Sequence, residues 1–217
     1  MLYPSQWTRP DISYAVGQLS QFLESPTQKH WEVGLEVLRY LLGTKDLRLV
    51  FKGGEDLEVS GFADSNFAAD LETGKSIFGY SIFAGGNLIS WKSKKSKTTA
   101  TSTTMAELEA LYQGVTEGIW VHQFLCSLGM ASDKHFKMFS DNMAVVKLVH
   151  GEKYLDRTKH EVVRVEFLRD KIRDGTLKVE WISTDRMVAD IFTKGLAKNM
   201  FGKHVQGLKL EPGGTNE

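Results

Sequence analysis

Four acidic residues are the side chains in this sequence whose type and placement could carry out chemistry. Each lies near the end of a predicted strand or the start of a predicted helix: Asp64, Glu107, Asp141 and Asp190. Strand ends and helix starts can converge at one edge of a sheet, and carboxylates gathered there repel one another unless cations bind between them. Oxygen ligands favour Mg²⁺ or Mn²⁺ over zinc. Two such ions about 4 Å apart can activate a water and stabilise the leaving oxygen of a phosphodiester.

Each of these acids also has a purely structural interpretation, and spacing alone leaves both interpretations open. Thr104-Met-Ala-Glu107 matches a capping box at a helix start, and Ser140-Asp-Asn142 could cap the following helix. Asp190 could complement the positive end of the last predicted helix, and Asp64-Ser-Asn66 could form a turn. The four positions therefore define a candidate metal site without establishing it.

The hydrophobic pattern predicts elements that could bring the acids together. Helical spacing over 12–23 and 31–42 predicts a helical hairpin, and a short strand at 47–51 follows it. The later elements alternate between strands and helices: strands at 57–64, 77–84, 87–91, 136–139 and 177–182, and helices at 104–128, 144–150, 157–173 and 188–196. Hairpin-linked strands followed by strands linked through helices predict an α/β fold, with a mixed five-stranded sheet flanked by helices behind a short helical segment.

Small residues recur every four positions on the long predicted helix, at Ala106, Ala110, Gly114 and Gly118. This spacing places them in one stripe, which predicts close packing of the helix on the sheet. Glu107 flanks the stripe and would therefore be held at the edge of the sheet.

Composition limits the function classes. Of the 217 residues, 41% are hydrophobic and 25% charged, which is typical of a globular domain. The single cysteine allows no disulfide within the chain and fits a reducing compartment. No stretch reaches the roughly 18 consecutive apolar residues of a membrane span. Basic and acidic residues are equal in number, 27 each, so any case for nucleic-acid binding must come from local charge.

A local case exists in a lysine-rich segment after Trp91, where lysines suit phosphate contact without reading sequence. The alternative is a solvated hairpin edge that discourages aggregation. Asn142 could contact a ribose hydroxyl or cap a helix, and His160 could contact nucleic acid or be an ordinary surface histidine. The candidate nucleic-acid contacts are Lys92, Lys94, Lys95, Lys97, Ser102, Asn142, Arg157 and His160.

Longer motifs surround the four acids. They are Phe62-Ala-Asp-Ser-Asn-Phe-Ala-Ala-Asp70, Lys75-Ser-Ile-Phe-Gly-Tyr80, Ile89-Ser-Trp-Lys-Ser-Lys-Lys95, Ser102-Thr-Thr-Met-Ala-Glu-Leu-Glu-Ala110, Ser140-Asp-Asn142, Arg157-Thr-Lys-His160 and Val188-Ala-Asp-Ile-Phe-Thr-Lys194. In order and separation they resemble the ribonuclease H domain of copia-type LTR-retrotransposon Pol polyproteins. Upstream, Thr8-Arg-Pro-Asp-Ile12 and Leu38-Arg-Tyr-Leu-Leu-Gly-Thr44 resemble the end of the preceding reverse transcriptase.

The resemblance implies a division of the chain and an activity. Residues 1–55 would be a helical remnant of the reverse transcriptase, 56–200 a ribonuclease H-like domain, and 201–217 a disordered tail. The activity would be hydrolysis of the RNA strand of an RNA–DNA hybrid during reverse transcription, with two Mg²⁺ ions (or Mn²⁺) held by the four acids. The polymerase domain would be a partner, because we find no Tyr-x-Asp-Asp motif here. The location would be cytoplasmic, in virus-like particles of an active element, or nuclear.

The chain departs from the family pattern at three places. Ser140 stands where the family usually has cysteine, and Val165-Glu166 stands where a Tyr-His pair is common. No histidine lies between Ile182 and Asp190, where many cellular ribonucleases H carry a mobile one. These departures leave open which group transfers protons. Apart from these departures, two other functions stay open: a catalytically silent hybrid-binding module derived from a retrotransposon, and a DNA nuclease or integrase-like enzyme of the same fold superfamily.

Overall fold

The computed structural model describes residues 1–53, 57–131, 135–151 and 159–213, and it has the predicted α/β architecture. The helices are α1 Leu2–Trp7, α2 Ser13–Ser20, α3 Gln28–Gly43, α4 Thr103–Ser127, α5 Met143–Val149, α6 Lys159–Arg173 and α7 Lys198–Gly207. The strands are β1 Leu47–Leu49, β2 Val59–Asn66, β3 Ile77–Ala84, β4 Asn87–Lys95, β5 Phe136–Ser140, β6 Leu177–Trp181 and β7 Leu210–Pro212. None of the described helices combines the length and apolarity needed to cross a membrane.

Five strands form the central mixed sheet, in the order β4-β3-β2-β5-β6. The first three are antiparallel neighbours, whereas β5 runs parallel to both β2 and β6. Gly85 and Gly86 join β3 to β4 with φ angles of 56° and 77°, a left-handed backbone that glycine adopts without steric cost. The predicted five-stranded mixed sheet and its hairpin are therefore confirmed.

The stripe of small residues lets α4 lie close against one face of the sheet. Ala106 and Ala110 are buried there. A Cβ atom added at Gly114 would lie 2.8 Å from Met138 Cε. One added at Gly118 would lie 2.6 Å from the ring of Phe136. The predicted close packing is confirmed, and it fixes the position of the helix that carries Glu107.

The opposite face of the sheet is covered by a 3₁₀ segment, Val188–Phe192, and α7 packs against that segment. The sequence prediction of one closing helix over 188–196 is wrong, because the chain tightens into a 3₁₀ turn where it packs against β2 and β3. The predicted disorder of 201–217 is wrong for residues 201–213, where α7 ends and β7 pairs with β1. Residues 214–217 lie outside the described part of the chain.

The N-terminal helices are attached to the sheet rather than separate from it. The indole Nε1 of Trp91 on β4 donates to the Ser5 carbonyl oxygen at 2.8 Å and lies 3.1 Å from Ser13 Oγ. Strand β1 pairs with β7, in the register Leu47↔Pro212. The division between residues 55 and 56 stays a prediction, but these contacts show that the flanking segments pack as neighbours.

Gly79 on β3 is a position where the fold leaves no room for a side chain. A Cβ atom there would lie 2.5 Å from Phe192 Cβ and 3.0 Å from Thr193 Cγ2. We expect Gly79→Ala to push the 3₁₀ segment off the sheet and to lower the free energy of unfolding by roughly 1–3 kcal/mol, measured by urea denaturation. Gly202→Ala on α7 is the matched control, because nothing lies within 4 Å of its added Cβ. Equal stability of the two variants would contradict this packing.

Candidate metal centre

The sheet topology brings two of the predicted acids to one edge. Strands β2 and β5 are parallel neighbours in the register Phe62↔Phe139, so Asp64 and Asp141 each lie two residues further along, at the same level. Glu107 lies in the second turn of α4, the helix packed across β2. One ligand oxygen from each of Asp64, Glu107 and Asp141 lies within 4.8 Å of the others. We call these three residues the acidic triad.

Local structure decides between the interpretations that spacing had left open. Ser102 is the cap of α4 and accepts from the Met105 backbone N–H at 3.4 Å, so Glu107 is not part of a capping box. Asp64 is inside β2 and does not form a turn. Asn142, not Asp141, caps α5, accepting from the backbone N–H groups of Ala144 and Val145. The carboxylates of the triad are thus not used as helix caps.

Asp190 reaches the same region from the opposite face of the sheet. Its 3₁₀ segment is anchored to β4 by Ser93 Oγ, which donates to the Phe192 carbonyl oxygen at 2.6 Å. The hydroxyl of Thr193 donates to Asp64 Oδ2. Lys194 Nζ lies 3.0 Å from Asp190 Oδ1 and 3.7 Å from Asp64 Oδ2. Asp190 therefore lies beside the triad, against both Asp64 and Lys194.

Two contacts fix Asp141. Thr184 Oγ1 donates to Asp141 Oδ2 at 2.7 Å, and the indole Nε1 of Trp181 donates to the Asp141 carbonyl oxygen at 2.9 Å. Sequence reasoning assigned no functional role to Thr184, Trp181, Thr193 or Lys194. Only Lys194 carried a local signal, since it stands four residues after Asp190, the spacing at which opposite charges meet on a helix.

Burial makes ionisation of the cluster costly. It raises the pKa of Glu107 well above its usual range, and the charges of Asp64 and Asp141 add to the effect. Burial also raises the pKa of Asp64, against the lowering effect of Lys194. The pKa of Asp190 rises to about 7, first through burial and then through the charge of Asp64. Burial would lower the pKa of Lys194, but the carboxylates around it raise it.

The triad fits a divalent cation. Glu107 Oε2 is buried without a hydrogen-bond partner among the described residues, an arrangement that costs free energy unless something binds the oxygen. All three ligands supply carboxylate oxygen, the donor type that Mg²⁺ and Mn²⁺ prefer. The triad could therefore hold one such ion.

The predicted nucleic-acid contacts differ in how exposed they are. The end of β4 lies at the same sheet edge as the end of β2, because Lys95 pairs with Ile77 and Ile77 with Asn66. The lysines at 92, 94 and 97 are exposed there. Lys95 instead forms an ion pair with Asp70.

Of the other four predicted contacts, two have side-chain oxygens that already accept hydrogen bonds, and two lie outside the described residues. The side-chain oxygens of Ser102 and Asn142 accept from helix backbones. Arg157 and the side chain of His160 lie outside the described residues. The three exposed lysines are thus the members of the predicted set that are most open to solvent among the described residues, and their contact with nucleic acid stays a prediction.

Comparison with known proteins identifies relatives along almost the whole chain. No family model matches. The chain is 40% identical over 201 residues to the Retrovirus-related Pol polyprotein from transposon TNT 1-94 of Nicotiana tabacum, which covers 93% of this chain. It is 34% identical over 209 residues to the Retrovirus-related Pol polyprotein from transposon RE2 of Arabidopsis thaliana, covering 95% of this chain. The chain spans only 15% and 14% of the lengths of these relatives.

A solved structure supports the fold. The foamy viral protease-reverse transcriptase dRH in complex with ds DNA superimposes with a TM-score of 0.52 at 13% identity, over 84% of this chain and 30% of that one. At this identity the similarity shows fold alone. Together with the strand order, it establishes the ribonuclease H-like fold.

The raised pKa of Asp190 gives a testable stability effect. A carboxyl whose pKa is raised in the folded state costs stability as pH rises from its unfolded value, near 4, through about 7. In EDTA at pH 8, Asp190→Asn should therefore raise the free energy of unfolding, by roughly 2 kcal/mol, and flatten its dependence on pH. Thermal unfolding between pH 4 and 8 measures both effects.

The control for this prediction is Asp170→Asn, which removes a carboxyl that is 64% exposed on α6. Its effect should stay within about 0.5 kcal/mol. A destabilised Asp190→Asn protein at pH 8 would contradict the assignment, because it would mean that the ion pair with Lys194 outweighs the cost of burying the charge.

Proposed function

We propose that this chain, which belongs to the copia-type family of retrovirus-related Pol polyproteins, is a metal-dependent ribonuclease H that cleaves the RNA strand of RNA–DNA hybrids. The observation that carries the proposal is the acidic triad, whose three carboxylates meet at one sheet edge with Glu107 Oε2 unpartnered among the described residues. Membership of the family supports the substrate, since reverse transcription leaves an RNA–DNA hybrid.

The residues around the triad have distinct parts in this mechanism. Asp64, Glu107 and Asp141 would hold Mg²⁺ or Mn²⁺, which when bound lowers the pKa of water and neutralises charge on the phosphate. Thr184 and Trp181 keep Asp141 in place through its carboxylate and its carbonyl oxygen. Water attacks the phosphorus and the bond to the 3′ oxygen breaks, which leaves 3′-hydroxyl and 5′-phosphate ends.

The predicted second ion needs a binding site outside the triad. The triad accounts for one ion, and the remaining carboxylate, Asp190, faces Asp64 with Lys194 beside both. The requirement for two ions therefore stays a prediction.

The biological role follows from the family. We propose that the chain removes RNA copied during retrotransposon reverse transcription, in the cytoplasm, in virus-like particles of an active element, or in the nucleus. The polymerase domain of the reverse transcriptase is the proposed partner. The activity of the whole Pol polyprotein extends beyond this chain, because the chain spans about a seventh of its relatives.

Cleavage of a labelled RNA–DNA hybrid tests the activity. In Mg²⁺ we expect cuts in the RNA strand alone, and we expect Asp64→Asn and Asp141→Asn each to lower the rate by at least about a hundredfold, since each removes a ligand from the triad. Asp185→Asn is the matched control, because that acid pairs with Lys203 outside the triad and should leave the rate unchanged.

Three other outcomes would point elsewhere. A folded protein that binds the hybrid in EDTA but does not cut it in Mg²⁺ or Mn²⁺ would be a hybrid-binding module. Cleavage of a DNA duplex instead of the hybrid would identify a DNA nuclease of the same fold. Cleavage that survives Asp64→Asn would place the active site away from the triad.

Salt-dependent binding tests the lysine-rich edge of β4. Replacing exposed Lys94 and Lys97 with alanine should weaken hybrid binding at every sequence and reduce the slope of log affinity against log salt, by about 1 for each phosphate that the protein no longer neutralises. Lys95→Ala should change this slope less, because Lys95 is paired with Asp70. An unchanged slope in the double variant would exclude this edge from the binding surface.

A further inference from the structure

We propose that the ammonium of Lys194 occupies the site of a second divalent ion between Asp64 and Asp190. On this model a first ion binds at the acidic triad, and a second binds only by displacing Lys194. The inference builds on the metal dependence in the proposed function and adds a residue that controls how many ions bind.

The position of Lys194 supports the assignment. Its Nζ lies 3.0 Å from Asp190 Oδ1 and 3.7 Å from Asp64 Oδ2, and these two carboxylates are only 5% and 3% exposed. Within the described ranges, Lys194 is the one lysine or arginine that forms an ion pair with any of the four acids. Its backbone N–H also donates to the Asp190 carbonyl oxygen at 3.2 Å, which fixes the two residues on one turn.

The four acids therefore form two overlapping groups: the acidic triad, and the pair of carboxylates beside Lys194. Among the described residues, the group able to hold a metal ion contains Asp64, Glu107 and Asp141 but not Asp190. Asp190 lies outside this group, against the ammonium and beside Asp64. Asp64 belongs to both groups, because it is a member of the triad and also lies beside Lys194.

Charge then opposes a second ion. Four ionised carboxylates, one ammonium and one divalent ion leave a single negative charge, whereas a second divalent ion beside the same ammonium would leave a positive cluster. An ion bound between Asp64 and Asp190 needs oxygen contacts of about 2.1 Å, which would bring it close to an ammonium that already lies against both carboxylates. Repulsion between these cations is strong in a buried site.

Lys194 has a route by which it can leave. Its side chain is 35% exposed on a flexible four-carbon stem. It also lines a groove of about 460 Å³ between the N-terminal helices and the segment that precedes α7, together with Tyr14, Gln18 and Leu196. Displacement by a second ion would move the ammonium from the carboxylates towards this groove.

Metal titration without nucleic acid tests the inference. Mn²⁺ binding to the full chain, followed by electron paramagnetic resonance and calorimetry, should show one tight ion in the natural protein. Lys194→Met should bind a second ion at least about tenfold more tightly than the natural protein does. Lys203→Met is the matched control, since Lys203 pairs with Asp185 outside the cluster. It should bind Mn²⁺ as the natural protein does.

Two further variants keep the test decisive. Lys194→Gln also removes the charge and serves if Lys194→Met does not fold. Lys194→Met combined with Asp190→Asn should return the protein to one ion, because the second site loses its carboxylate.

The failures are distinguishable. Two equally tight ions in the natural protein, or a single ion in Lys194→Met, would overturn the inference. Normal Mn²⁺ binding without hybrid cleavage would overturn the proposed function and leave the role of Lys194 standing. No Mn²⁺ binding by folded protein would overturn both.

Discussion

Mutual repulsion among carboxylates that are buried together is the constraint on which the rest of this structure depends. Asp64, Glu107 and Asp141 place oxygen atoms within 4.8 Å of one another, and the first two of these residues are almost fully shielded from solvent. Left alone, such a cluster takes up protons and loses the charge that makes it useful. Its geometry must therefore be imposed by the surrounding fold and its charge balanced by cations.

The fold imposes that geometry from three directions. The parallel pairing of β2 with β5 sets Asp64 beside Asp141, and the glycines of α4 bring Glu107 down onto the same strands. On the opposite face, Gly79 leaves space for the segment that carries Asp190 to lie directly on the sheet. Small residues thus determine where the acids lie. At each of these glycines a larger side chain would hold the neighbouring segment away from the sheet and so move the acid that the segment carries.

Much of this could be predicted from sequence where the signal is local. The bounds of β3 match the prediction, and those of α4 differ from it by one residue at each end, because hydrophobic period and glycine turns act over a few residues. The four acids were found through motifs, not spacing. Helix α7 was missed although Phe201, Val205 and Leu208 have helical spacing. The contacts of Thr193 with Asp64 and of Thr184 with Asp141 join residues 129 and 43 positions apart, and no local pattern indicates them.

The pairing of β1 with β7 has a consequence for the order in which the chain folds. Leu47 is opposite Pro212, so the ribbon closes a loop that contains the whole central sheet and all four acids. During synthesis β1 leaves the ribosome long before its partner β7 exists. A contact between such distant residues forms late, since closing the loop costs chain entropy before any pairing is gained. The β1–β7 ribbon can therefore form only after every strand of the central sheet has been made, so that folding can begin with the central sheet and end with the ribbon.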